Sequence, residues 1–303
     1  MASHSLKVNG ISVPVTLSGI ANTSKSSKEI LDDVLAFPPF SAWAARLDRQ
    51  ITAQHQTQQQ QSQGKDAVPK PPAEILEVRG VDIQGVDYFR SNKIGFLKFN
   101  AHVVDVASGA RIPGIVFMRG GSCAVLIVLR ISDVGESDNG GDETEYVVLV
   151  KQPRMPVPDL GFWCIPAGML DGSGQFASKA AEEVEEETGI TINQEDLTDL
   201  VSLIQNHTLK SNNQEKNPDL HGHGVWVSPG GTDETMQLFV TQRTVSQKEI
   251  DELKGRLAGL RDHGENITVD VVKLDEVWTR VADANALFAL SLYEKAKNLR
   301  LLK

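Results

Sequence analysis

Between Gly168 and Ile190 the chain reads GMLDGSGQFASKAAEEVEEETGI, and five of the six residues from Glu182 to Glu187 are glutamate. Few folds can accommodate such a run. Phe176, Ala180 and Val184 recur every fourth position, so a helix from Gly174 to Glu187 can bury one apolar stripe, and Gly189 is placed to end it. At about 100° per residue, Glu183, Glu186 and Glu187 then share an arc of roughly 100° on one face. Carboxylates packed that closely repel, which costs stability unless a cation lies between them; magnesium, a hard ion that takes oxygen ligands, suits the face. A run of this kind on its own is most often a solvated acidic surface. Here it follows strand-like residues and a Pro-Ala-Gly bend, IPAGM, which can bring a backbone carbonyl and amides beside the carboxylates.

Upstream, VNGISVPVTL alternates like a strand, and KEILDDVLAFPPFSAWAARLDRQ predicts two short helices interrupted by Pro38 and Pro39. The stretch from Thr52 to Pro72 is rich in glutamine, then proline, and nearly free of apolar side chains, so it is expected to be a disordered linker. Strand-like runs follow, ILEVRGVDIQGVDYF, KIGFLKFNAHVVDV, RIPGIVFMRG, SCAVLIVLR and YVVLVKQPR, the last two separated by a polar loop. Beyond the acidic helix come an expected strand near Thr198 to Gln205, a loop with His207, His221 and His223, strands at HGVWVS, MQLFVTQ and NITVDVVKL, and a helix from Asp283 to Leu302. This order predicts an α+β chain, a mixed sheet with helices on its faces, preceded by a smaller β-rich part. The division expected is 1–115 for the N-terminal region and 116–303 for the rest.

The 303 residues carry a formal net charge of -10, with no basic patch, so nucleic acid is not an expected partner. No apolar stretch reaches the length of a membrane span, and MASHSLKVNG lacks the charged-then-apolar pattern of a signal peptide, so a cytoplasmic protein is expected. Cys123 and Cys164 form neither a CxxC pair nor a zinc cluster and read as buried, reduced thiols. The HxH spacing of His221 and His223 lacks a partner at fixed distance, and solvated loop histidines are the better reading.

The segment from Gly168 to Ile190 resembles the Nudix box, G-x5-E-x7-R-E-U-x-E-E-x-G-U with U aliphatic. Gly168, Glu183, Val184, Glu186, Glu187, Gly189 and Ile190 fall on the pattern. Beyond the box, QGVDYFRSNKIGFLKF, PGIVFMRG, KQPRMPV, SPGGTDETM and RDHGENITVDVVKLDEVW are similar to the plant-type ADP-sugar diphosphatase branch, from about Val78 to the end of the chain. The resemblance implies an α/β/α Nudix sandwich and an N-terminal part that helps form a homodimer.

It further implies that Glu183 and Glu187, helped by Glu186 and the carbonyl of Ala167, bind Mg2+, with Mn2+ able to substitute. Such ions neutralise a diphosphate and acidify a water that attacks phosphorus in line, cleaving a nucleotide-sugar such as ADP-ribose or ADP-glucose to AMP and a sugar phosphate. Glu183 and Glu186 are the expected catalytic carboxylates of the box. Glu265 matches a loop glutamate that acts as base or metal ligand, although an exposed loop carboxylate explains it equally well. Arg154 is expected on the phosphates or terminal sugar, where a guanidinium fork fits, with Gly168, Gly231 and Glu234 as further substrate contacts. For Gly231 and Glu234 a plain hairpin turn is the bland alternative. Phe117 and Trp163 are candidates for stacking on a base, with core packing the simpler account.

Two box positions depart from the pattern: Gly174 stands where the first glutamate belongs, and Glu182 where the arginine belongs. The second replaces an attraction with a repulsion, and Lys179, one turn earlier, is placed to restore part of the lost charge. A module that binds ADP-ribose-like ligands without turning them over, as a sensor or scaffold, is the alternative these departures leave open.

Overall fold

The computed structural model describes residues 4–62, 75–89, 92–131, 144–170, 176–217, 224–260 and 266–302, the side chains of 59–62 excepted. Two compact units emerge, one made of Met1–Gly120 with Ser228–Glu234, the other of Gly121–Val227 with Thr235–Lys303.

In the first unit β1 (Ser5–Val8), β2 (Ile11–Ala21), α1 (Ser27–Ala36), α2 (Pro38–Ser62), β3 (Leu76–Tyr88), β4 (Ile94–Asp105), β5 (Arg111–Ile112) and β6 (Ile115–Met118) follow one another. Among the described residues its sheet runs β1-β2-β3-β4-β5, with β6 also on β4. The β2–β3 pair is parallel, since α1 and α2 form the crossover between them. Ser26 starts α1 with a reciprocal capping box to Glu29. Pro38 opens α2, where its missing N–H costs nothing. The core gathers on Phe40, which meets Trp43 at 5.6 Å and Phe99 at 5.4 Å between ring centres.

Here the expectation of a short second helix and a disordered run from Thr52 needs correction: α2 is 25 residues long and stays helical to Ser62. Ile51 is buried against Val8, Val13 and Val78, which anchors the middle of the helix. Once a helix is nucleated by packing, glutamine extends it at little cost. The remainder of the expected linker, 63–72, lies outside the described residues.

The second unit contains β7 (Ser122–Ile131), β8 (Glu145–Arg154), β9 (Asp159–Cys164), β10 (Ala167–Met169), α3 (Phe176–Thr188), β11 (Thr198–Asp199), α4 (Leu200–Ser211), β12 (Val225–Trp226), β13 (Thr235–Val245), α5 (Gln247–Leu253), β14 (Leu257–Ala258), β15 (Ile267–Lys273), α6 (Val277–Arg280) and α7 (Ala284–Asn298). Its main path is β11-β13-β7-β8-β15-β14, and β13 runs parallel to β7. Alternate residues of β7 face opposite layers. Ala124, Leu126 and Val128 pack with Leu200 of α4 and Leu290 of α7, whereas Cys123, Val125 and Ile127 pack with Val184 of α3 and Ile250 of α5. The mixed sheet between helical layers is the α+β arrangement expected.

The strand expected from Thr198 to Gln205 is two residues of strand followed by α4. Asp199 caps that helix by accepting from the Ser202 amide, and Leu200, Val201, Leu203 and Ile204 form a helical rather than an alternating apolar pattern. The helix α5, which Ser246 and Glu249 start with a capping box, is not among the expected elements.

Among the described residues no helix is long and apolar enough to cross a membrane.

Candidate active site

The second unit's sheet forks. β7 and β8 pair only from Val128 to Arg130 against Glu145 to Val147, and then part. The chain fills the opening with its own next segment: β9 follows β8 from Val150 onward, and three residues later β10 lies against Ser122 to Ala124 of β7. The Pro166 carbonyl accepts from the Val125 amide at 2.9 Å, which fixes the crossing from one arm to the other.

The C-terminal half of α3 lies over this fork. Ala180 and Val184 are fully buried, while Phe176, the first member of the expected stripe, is 38% exposed at the helix start. Gly189 ends the helix with φ +69° and donates to the Glu185 carbonyl at 2.8 Å, and the Gly259 amide donates to the Glu186 carbonyl at 3.0 Å. Arg256 lays its guanidinium against Gly189, near the negative end of the helix dipole.

Glu187 is therefore not on an open face. It is buried, and its carboxylate spans the fork: Oε2 accepts from the Ala167 amide of β10 at 3.0 Å, and Oε1 from the Gln152 side-chain amide of β8 at 3.4 Å. Burial pushes its carboxyl up to about 8; the Ala167 amide, Arg154 and Gln152 oppose the shift, and the Glu183 charge adds to it.

Glu183, one turn earlier, lies directly on the Cα of Gly168, where a Cβ would coincide with its carboxyl group. Lys179 Nζ meets Glu183 Oε1 at 2.9 Å and Glu182 Oε2 at 3.4 Å. Burial opposes the Lys179 charge, yet Glu183, Glu186 and Glu182 together raise its ammonium above the ordinary range. Glu186 is exposed.

Both cysteines sit beside the acid pair. Cys123 belongs to β7, opposite Gly168, and burial, then the Glu183 charge, push its thiol up to about 12, with the Gly168 amide and Lys179 opposing. Burial likewise raises Cys164 to about 11, with the nearby Arg154 charge opposing. They are buried thiols, as expected, and protonated near neutral pH. Arg154, half-buried at the end of β8, is thus turned toward Cys164 and Glu187.

The structure brings Glu183, Glu187, Ala167, Gly168 and Arg154 together. Ala167 contributes through its amide, a role that the expectation of a carbonyl ligand did not include. Gln152 was missed too, although its place two residues before Arg154 puts it on the same face of β8. Gly174, Glu265, His221 and His223 lie outside the described residues, and His207 is on α4. Trp163 packs at the edge of the core under Lys151 and Arg280, at 5.4 and 4.8 Å from its ring centre.

The first unit holds the remaining expected residues. Gly231 closes a turn, donating to Ser228 O at 3.1 Å, and its own carbonyl accepts from the Phe117 amide at 2.8 Å. Glu234 pairs with Arg119 at 3.6 Å. Asp233 accepts from the amides of Arg119 and Gly120. Phe117 stacks on Phe96, 5.3 Å between centres.

Oxygen donors dominate the acid pair, and mutual repulsion between Glu183 and Glu187 is what a cation would relieve. Among the described residues, no three or more His, Cys, Asp or Glu side chains converge closely enough to hold a metal by themselves. The set fits magnesium held by one or two carboxylates, with its other positions open to water and phosphate oxygens, and not an ion caged by protein.

The chain is 41% identical over 223 residues to Nudix hydrolase 14, chloroplastic, of Arabidopsis thaliana, a match that takes in 73% of this chain and 64% of that protein. It thus spans just under two thirds of that relative's length. With the box residues in place on a strand, bend and helix, the chain is similar to that Nudix hydrolase over the matched length. No family model matches it. Among solved structures, that of an ADP compounds hydrolase is similar at 15% identity and TM-score 0.43, covering 76% of this chain and 98% of that one. A mutT/nudix family protein from Listeria innocua follows at 16% identity and TM-score 0.34, covering 60% and 98%.

Proposed function

We propose that the chain hydrolyses the diphosphate link of nucleoside diphosphate sugars, with ADP-ribose or ADP-glucose preferred, releasing AMP and a sugar phosphate. The observation that carries this reading is the acid pair at the sheet fork: Glu187 buried between the two arms and Glu183 seated on Gly168. A purely structural helix has no reason to bury one carboxylate beside another, because both lose hydration and each disfavours the other's charge.

Magnesium bound to Glu183 and Glu187 would supply positive charge for the diphosphate and acidify the attacking water. The protein's own part is to hold the two carboxylates in place: the Ala167 amide and Gln152 orient Glu187, and Lys179 orients Glu183. Arg154 adds a guanidinium beside the pair, suited to phosphate oxygens. Glu186 and Glu265 are proposed as the further carboxylates, Glu186 serving a metal ion from the solvent side of α3. Gly231 and Glu234 are proposed as substrate contacts from the SPGGTDE turn. The preference for ADP-sugars rests on the sequence resemblance outside the box.

The test is incubation of the protein and Mg2+ with ADP-ribose, ADP-glucose, UDP-glucose or NADH, followed by chromatography for mononucleotides. AMP release from the ADP-sugars, dependent on the metal, is the expected result. Ligand binding without mononucleotide release would replace hydrolysis by the sensor reading.

A further inference from the structure

Glu182 occupies the position at which the box pattern has arginine, so the acidic face of α3 needs its positive charge from elsewhere. Lys179 is one turn away on the same face and touches both Glu182 and Glu183, at 3.4 and 2.9 Å. Its side chain is only 22% exposed and that of Glu183 16%, so the closer pair is partly shielded from water, whereas Glu182 is 60% exposed.

We propose that Lys179 is the resident counter-cation of this face, taking over from the missing arginine, and that a divalent ion must compete with it for Glu183. The inference rests on the reading that Glu183 and Glu187 bind such an ion. Two consequences have opposite signs. Without metal, Lys179 offsets the repulsion among the carboxylates and stabilises the helix. With metal, the same ammonium repels the incoming ion and holds one of its ligands. Damage to the fold would instead weaken stability and metal uptake together.

Mg2+ affinity is measured by calorimetry on chelator-treated full-length protein, and melting temperature with and without Mg2+, for the wild type, K179Q, K179R, E182Q and K179Q/E182R. K179Q is expected to lower the metal-free melting temperature, to tighten Mg2+ binding by about threefold to fivefold, the scale of one half-exposed ion pair, and to enlarge the Mg2+-induced rise in melting temperature. K179R should match the wild type. K179Q/E182R should return toward it, since a guanidinium at 182 restores charge to the face. E182Q, which leaves Lys179 to Glu183 alone, should weaken binding by about twofold and keeps the proposal testable if K179Q does not fold. Equal or weaker Mg2+ binding in K179Q, or no reversal by E182R, overturns the inference while the acid pair stands. A wild type that takes up no Mg2+ removes the metal reading itself and the inference with it.

Discussion

Gly168→Ala separates the geometry of the site from the stability of the fold. The glycine lies in β10 with an ordinary backbone, so alanine meets no conformational strain there. Its new methyl group, however, would coincide with the Glu183 carboxyl, and ordinary contact begins only at 3.4 Å, so that carboxyl must retreat by at least about 1 Å. The retreat is cheap for folding: it is the far end of a flexible side chain, and an altered rotamer costs about 0.5–1.5 kcal/mol. For catalysis it is expensive, because a catalytic group misplaced by about 1 Å loses on the order of 100-fold in rate. Magnesium-dependent mononucleotide release should fall by about two orders of magnitude, while the melting temperature drops by no more than roughly 6 °C, since about 1 kcal/mol shifts a unit of this size by about 2–4 °C. Turnover within threefold of wild type would show that Glu183 does not work from its seat on Gly168. A collapse of the cooperative melt would show that the glycine serves the fold instead.

Other perturbations test neighbouring parts of the argument. Glu187→Gln keeps an acceptor for the Ala167 amide and removes the repulsion with Glu183, so turnover should fall by orders of magnitude with no loss of metal-free stability; activity equal to wild type would refute its role as a ligand. Gly189→Ala forces a side chain onto φ +69° and against Arg256, which should cost about 1–2 kcal/mol in urea unfolding; a smaller effect would mean that the helix end relaxes. Glu145 is buried, and although burial opposes its charge, bonds from Lys297 and Tyr293 at 2.7 Å and from Arg130 at 2.9 Å hold its carboxyl below the usual range. A lowered carboxyl stabilises the fold above its unfolded value near 4.5, and that contribution is lost as pH falls through the folded value. Glu145→Gln should therefore cost about 2–3 kcal/mol at pH 7 and little at low pH; denaturant curves showing an equal loss at pH 7 and pH 3.5 would contradict the sign.

The helix that carries the acid pair was legible because its information is local: the spacing of Ala180 and Val184, the glycine at 189 and the run of glutamates lie within one window. What could not be read was which edge of the acidic arc is buried. Helical angles place Glu183, Glu186 and Glu187 within roughly 100° of one another. Only the crossing of β9 and β10 between β8 and β7 covers Glu187 and leaves Glu186 in water. That pairing joins residues far apart along the chain, and no periodicity announces it. Cys123 and Cys164 illustrate the same limit, since each reads alone as a core thiol and the fork is what sets both beside the carboxylates. Two local signals outweigh the patterns that predict otherwise: the capping residue Asp199 makes the apolar run after it a helix and not a strand, and the helix propensity of the glutamines after Ile51 carries α2 to Ser62.

Burying Glu187 is the step in this fold that packing alone would not favour. A hydrophobic side chain at 187 would fill the fork without desolvating a carboxylate, and for stability it would be the better choice. The hydrogen bonds that Glu187 accepts come from a backbone amide and a side-chain amide, neutral groups that orient the carboxyl group without supplying a full positive charge. The ammonium on this face is bonded to Glu183 and Glu182. Burial favours the protonated form of Glu187 and Arg154 offsets only part of that penalty, so a divalent ion that enters the fork displaces the proton and recovers part of the energy withheld from folding. On that reasoning, added Mg2+ should raise the melting temperature of the wild type and have a much smaller effect on Glu187→Gln, whereas a monovalent salt at equal ionic strength should treat the two alike. Equal responses to Mg2+ would mean that the charge at 187 is not what draws the ion.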